Sequence, residues 1–119
     1  MLDPGPDFSK TPSQTIEVLR ALGDLHDFGR PLLLAISRKD FVGALTGRAP
    51  RERLAGTLAA LGHGIEAGAH VARVHDVAAA ADYILVQAAL SGELPVETDL
   101  RLDESLLRQR PGPSDEVSR

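Results

Sequence analysis

The chain has 119 residues, 43% of them hydrophobic, 25% charged and 3% aromatic, with a formal net charge of −4 and no cysteine. That length supports one small domain burying roughly 65% of its unfolded surface, and the acidic balance argues against a nucleic-acid partner. Lack of cysteine excludes a disulfide framework and a thiolate metal site. No apolar run approaches the ~20 residues of a membrane span and no basic-then-apolar leader opens the chain, so a soluble, cytoplasmic protein without a membrane partner is expected.

Along the chain, Leu2 is a lone apolar residue before the turn-rich Asp3-Pro4-Gly5, like the tail of a strand whose body lies elsewhere. Thr11-Pro12-Ser13-Gln14 predicts a helix start: Thr11 caps, Pro12 suits the first helical position and Gln14 completes a capping box. Ile16, Leu19, Leu22, Leu25 and Phe28 follow at three-residue steps as one apolar stripe, with Gly29 as the stop and Pro31 closing the connection. The run PLLLAIS reads as a strand covered on both faces. A short helix is expected over Asp40–Leu45, ended by Gly47, and a long one from Pro50 to about Ala67, ended by Gly68. HVARVH is the next strand, and Asp76 is placed to cap a helix from Val77 to about Ser91. Beyond Gly92 the pattern thins: Leu100, Leu102, Leu106 and Leu107 allow a marginal helix, and RPGPSDEVSR reads as a disordered tail.

Strands alternating with helices imply right-handed βαβ units and a parallel sheet. Two strands and a stump leave that sheet without neighbours, so the architecture is that of a part of a larger α/β barrel or sheet. The expected division is a partial barrel domain over 1–92 and a largely disordered extension over 93–119.

In α/β folds chemistry gathers at the carboxyl ends of strands. Three polar clusters fall there: Asp3-Pro4-Gly5, Ser37-Arg38-Lys39 and Arg73-Val74-His75-Asp76. Strand alternation puts Ser37 and Lys39 on one face with Arg38 opposite, and Arg73 with His75 on one face with Val74 toward the covering helices. If those faces look inward, Asp3, Lys39, Arg73 and His75 converge. A carboxylate pairs with the N–H edge of a heterocycle, a lysine donates to a ring carbonyl or nitrogen, and arginine with histidine suits a phosphate or pyrophosphate. Any one cluster alone is more often a turn, a satisfied core group or a solvated strand end; their recurrence after successive strands carries the functional reading. His26, His63 and His70 fit no ligand pattern and read as structural or exposed, while Lys10 fits a surface charge as well as a functional one.

The segments LDPGPDFSKT, SRKDFVGALTG, RERLAGTLAA and GAHVARVHDV, in that order from Leu2 to about Gly92, resemble the C-terminal third of dihydropteroate synthase. The resemblance implies the end of strand six and strands seven and eight, with their helices, of a (β/α)8 TIM barrel. It implies a transferase of folate biosynthesis that condenses 6-hydroxymethyl-7,8-dihydropterin diphosphate with p-aminobenzoate, releasing pyrophosphate. By the same resemblance Asp3, Lys39 and Arg73 bind the pterin and Arg73 and His75 the diphosphate. Phe8 and Ser37 lie near p-aminobenzoate, and Lys39, Arg73 and His75 are the catalytic set. Magnesium is the implied cofactor, with its protein ligand outside these residues and none within them, and a homodimer is the implied state of the full-length protein.

Three positions depart from the family pattern. Asp7 stands where glycine is usual, Ala35 replaces a frequent glycine, and Asp40 takes the place of a serine in many members. Asp7 and Asp40 add negative charge near an anionic substrate, so the alternative is a divergent, non-catalytic paralogue of actinobacterial type that binds a pterin diphosphate or similar anion. A methyl-transfer enzyme on the same barrel ranks behind both, because the paired Ser-Arg-Lys and Arg-Val-His-Asp motifs resemble the synthase. With strands one to five absent, the isolated chain is expected to be inactive.

Overall fold

The computed structural model describes residues 1–107. Three short parallel segments make the sheet: an isolated bridge pairs Leu2 with Leu32, and β1 (Leu33–Leu34) pairs with β2 (Val71–Ala72) in the register Leu33 to Val71 and Leu34 to Ala72. The predicted stump and two strands are therefore present, side by side in chain order. The ladder is short, yet Leu32, Leu34, Ala35 and Ile36 are all buried, as a strand covered on both faces requires.

The first connection begins with α1 (Pro12–Arg20). Gln14 N donates to Thr11 Oγ1 and Thr11 N to Gln14 Oε1, so the expected capping box is formed. The apolar stripe does not continue as one α-helix to Phe28. From Leu22 to Phe28 the chain is a 3₁₀ helix ending on a left-handed Gly29. Three-residue spacing is the 3₁₀ repeat, so Leu22, Leu25 and Phe28 align there as they could not in a helix of 3.6 residues per turn. Leu22 is buried and Leu25 partly so, whereas Phe28 is exposed.

α2 (Asp40–Thr46) ends on left-handed Gly47 as predicted. The helix expected from Pro50 is split into a 3₁₀ turn, Pro50–Glu52, and α3 (Leu54–Glu66), with Arg53 at the break. α3 sits very close to its neighbours: a Cβ on Gly64 would collide with Leu34 Cδ2 on β1, and one on Gly62 with the Tyr83 hydroxyl. α4 (Val77–Ser91) closes on left-handed Gly92. The core joins these layers through Leu19, Leu22, Leu32, Leu34, Ile36, Phe41, Val42, Leu61 and Ala80.

Histidines tie the layers by hydrogen bonds to backbone. His63 Nε2 meets Leu19 O at 2.6 Å, His26 Nε2 meets Ala67 O, and His70 Nδ1 accepts from Leu32 N at 2.9 Å. All three are structural, as the sequence implied.

Among the described residues, β2 and α4 leave apolar surface without cover. Val71 on β2 is 42% exposed, and α4 leaves Ile84, Leu85, Val86 and Leu90 exposed around much of its circumference. Among the described residues no helix is long and apolar enough to cross a membrane. Past Gly92, a 3₁₀ turn at Glu104–Leu106 stands in place of the marginal helix, with Leu100, Leu102 and Leu106 exposed because no apolar surface meets them. The predicted tail RPGPSDEVSR lies outside the described residues.

Candidate functional site

The loop after β1 is not a simple strand extension. Arg38 has φ +58°, in the left-handed region, so the alternation expected through Ser37, Arg38 and Lys39 fails at its middle residue. Three contacts hold this costly conformation. Arg38 N donates to Oγ1 of buried Thr57 at 3.0 Å, Arg38 O accepts from Arg53 Nη1 at 2.8 Å, and the Arg38 guanidinium grips Asp76. Thr57 and Arg53 lie four residues apart, one α-helical turn, and reach the same loop from α3 and its N-terminal break. Arg53 also donates from Nε to Arg48 O at 2.8 Å and from Nη1 to Asp40 Oδ1 at 3.0 Å. The segment RERLAGTLAA thus supports the loop, a role the sequence reading did not assign.

The Ser-Arg-Lys and Arg-Val-His-Asp motifs interlock at two points. Ser37, 6% exposed, accepts the His75 backbone N–H at 3.0 Å through Oγ, which also shares a hydrogen bond of 2.8 Å with His75 Nδ1. Among the described residues Nε2 makes no hydrogen bond. Arg38 donates to Asp76 in a fork, Nη2 to Oδ1 at 2.9 Å and Nε to Oδ2 at 3.3 Å. The Arg38 hydrogen bond holds the Asp76 carboxyl below its ordinary range, and the same bond raises the guanidinium further. Asp76 does not cap α4 as predicted: its side chain makes no capping hydrogen bond and turns to Arg38 instead. The fork gives the carboxylate two charge-assisted bonds to a full positive charge, where a cap would give it a backbone N–H.

Lys39 reaches across to the first loop, its Nζ donating to Pro6 O at 3.1 Å. That loop carries two further non-glycine residues at positive φ, Asp7 at +65° and Ser9 at +52°. Lys10 Nζ donates to Gly5 O and Phe8 O, so its charge closes the loop rather than facing a ligand.

These contacts outline a hollow of about 270 Å³ lined by Ala35, Ser37, Lys39, Arg73, Val74 and His75. The structure therefore brings together Ser37, Lys39, Arg73 and His75. Arg73 forms no ion pair among the described residues, and Lys39 bonds only a neutral carbonyl, so the hollow presents two cations and an imidazole to an anion. Asp3 and Phe8 do not line it. Asp3 Oδ1 accepts from Gly5 N at 2.8 Å in a local turn, and Phe8 is 77% exposed. A second hollow of about 390 Å³ shares Ser37, Lys39 and His75 and continues to Asp7, Arg38, Asp40 and Pro50.

Residues 1–75 match the family model described as pterin binding enzyme. The chain belongs to that family. Among curated relatives of the pterin binding enzymes, dihydropteroate synthase of Escherichia coli is 40% identical over 94 residues, covering 78% of this chain and 33% of that protein. A Mycobacterium tuberculosis protein named inactive dihydropteroate synthase 2 is 40% identical over 101 residues, covering 85% of this chain and 32% of its own length. The solved dihydropteroate synthase of Xanthomonas albilineans with 4-aminobenzoic acid superposes with a TM-score of 0.74 at 40% identity, over 78% of this chain and 34% of that one. The chain thus spans about a third of the length of these relatives and has the fold of part of their TIM barrel. The lone bridge at Leu2 and the bare edge of β2 are the places where the remaining strands of such a barrel would pair.

Proposed function

We propose that this chain forms the C-terminal wall of a dihydropteroate synthase-type site, in a protein that joins 6-hydroxymethyl-7,8-dihydropterin diphosphate to p-aminobenzoate. The observation that carries the reading is the hollow at the strand ends, where two motifs locked by Ser37–His75 and Arg38–Asp76 leave Lys39, Arg73 and His75 free toward an anion. In the reaction the C–O bond from the pterin methylene to the diphosphate breaks and its electron pair leaves with pyrophosphate. The arylamine nitrogen forms the new C–N bond and sheds a proton. Arg73 and His75 would hold the diphosphate and oppose its growing charge, and Lys39 would donate to the pterin, all in fixed positions before the reaction begins. Asp3 as a pterin ligand and Phe8 as an arylamine neighbour remain part of the proposal through the resemblance alone.

Magnesium likewise rests on the resemblance. The described residues contain no group of three or more His, Asp or Glu placed to hold a metal ion, and no step here runs through it. A homodimer of the full-length protein rests on the resemblance as well. The similarity to the mycobacterial protein named inactive favours a second reading, a paralogue that keeps the anion end without making dihydropteroate.

The test uses the intact reading frame that carries these residues. Pyrophosphate release is measured with both substrates present, and pterin diphosphate binding is titrated separately. Release at a steady rate supports the synthase, and binding without release supports the paralogue. Binding that survives the double replacement R73A/H75A refutes both. The 119-residue chain alone is expected to show no turnover, because one wall of the site is all it contains.

A further inference from the structure

We propose that Asp7 is a specificity-determining residue that turns the second hollow against carboxylate-bearing acceptors, so that an uncharged arylamine is its better occupant. The inference rests on the second reading above, a paralogue that keeps the pterin diphosphate end without making dihydropteroate, and names the class of acceptor such a site would take. The hollow beside the anion site shares Ser37, Lys39 and His75 with it, so an acceptor bound there would stand next to the departing diphosphate.

Its far wall is acidic and fixed. Asp7 N donates to Thr15 Oγ1 at 2.9 Å, and that hydroxyl donates back to Asp7 Oδ1 at 3.1 Å. Asp7 Oδ2 accepts from Phe41 N at 3.1 Å, in the first turn of α2. Both carboxylate oxygens are therefore anchored, on a residue whose φ of +65° keeps the loop from simply extending away. The charge cannot swing clear, and the backbone N–H that could greet an incoming anion is already taken. Asp40, 89% exposed at the side chain, adds a second carboxylate, paired among the described residues with Arg53 alone.

The cations of this hollow offer less. Arg38 is spent on Asp76, and Lys39 has one proton on Pro6 O. A carboxylate brought within about 4 Å of Asp7 in a partly screened site loses on the order of 10- to 100-fold in affinity against a neutral group of equal shape.

The experiment titrates the intact protein directly with 4-aminobenzoate and with 4-aminobenzamide, its uncharged counterpart. The wild type is expected to bind the amide at least about ten-fold tighter. In D7N, which keeps the shape and removes the charge, the ratio is expected to fall to within about three-fold of unity. D7G serves as the second variant, because glycine adopts the observed φ without strain. D40N is expected to move the ratio less, its carboxylate being solvated and paired. Equal or tighter binding of the benzoate by the wild type, an unchanged ratio in both D7N and D7G, or binding of neither arylamine overturns the proposal. Pterin diphosphate is titrated in parallel. Its failure to bind would remove the proposed function while leaving the arylamine ratio readable.

Discussion

Replacing Thr57 by valine tests whether α3 holds the anion site together. The two side chains have nearly the same shape, so the core around Thr57, 2% exposed, loses no volume. What disappears is the acceptor for Arg38 N, at 3.0 Å. That N–H belongs to a residue at φ +58°, whose turn lets Lys39 reach Pro6 O. With the hydroxyl gone the amide is either orphaned inside the protein or freed by moving the loop. An orphaned buried donor costs roughly 1–3 kcal/mol. In a barrel of the relatives' size each kcal/mol lowers the thermal midpoint by roughly 2–4 °C, so a drop of about 2–12 °C is expected.

The second readout separates the two outcomes. Loop movement would displace Lys39 and Ser37 together and weaken pyrophosphate binding measured by titration. Orphaning without movement would lower the midpoint alone. A midpoint unchanged to within about 1 °C, with pyrophosphate affinity also unchanged, would show that Arg38 N needs no partner from α3. The left-handed turn would then have to be held by Arg53 and Asp76 alone.

Three further outcomes follow from the same geometry. D76N removes the carboxylate that Arg38 holds below the ordinary range near 3.8. A depressed carboxyl contributes stability that is complete above its unfolded value and lost as pH falls through the folded value. The midpoint difference between wild type and D76N should therefore be constant above about pH 5 and shrink below about pH 4; a difference that grows in acid would contradict the ion pair. G64A places a methyl against Leu34 and should destabilise by about 1–3 kcal/mol in denaturant melts, since α3 must lift off β1; a neutral result would mean the layers have slack. R73K keeps the charge but loses the planar fork, so pyrophosphate affinity should fall by about ten-fold with stability unchanged, and undiminished binding would exclude Arg73 as a phosphate ligand.

Much of this was legible because local rules were sufficient. The capping box at Thr11, the left-handed stops at Gly29 and Gly47, and the largely buried run through Ile36 need only neighbours in sequence and the hydrophobic pattern. What escaped depends on partners far along the chain. A spacing of three residues fits a drifting α-helical stripe as well as a 3₁₀ helix, and only the packing of Leu22 and Leu25 decides between them. Asp76 before an alanine-rich helix has the form of a cap. That it turns to Arg38 depends on a residue 38 positions earlier having left strand geometry. Thr57 carried a signal that could have been read: a threonine one turn after Arg53 in an apolar helix has its hydroxyl on the face that should be dry, and such a group needs a specific partner.

The same long-range contacts explain why the two motifs are informative together and weak apart. Arg73 and His75 on a strand end would be a solvated pair if nothing fixed the ring, and His75 has two of its hydrogen bonds on a single hydroxyl from the neighbouring strand. Ser37 can supply that hydroxyl because the chain turns sharply after it at Arg38, and Arg38 holds that turn partly through Asp76, the residue after His75. Each motif thus supplies the restraint that the other lacks, and the circuit is closed through Thr57 and Arg53 of the intervening connection. Among the described residues, Lys39, Arg73 and Nε2 of His75 are what this circuit leaves unspent. The supporting side chains neutralise one another, while the remaining cations face the same hollow, so the positive charge of this strand end is concentrated at one place.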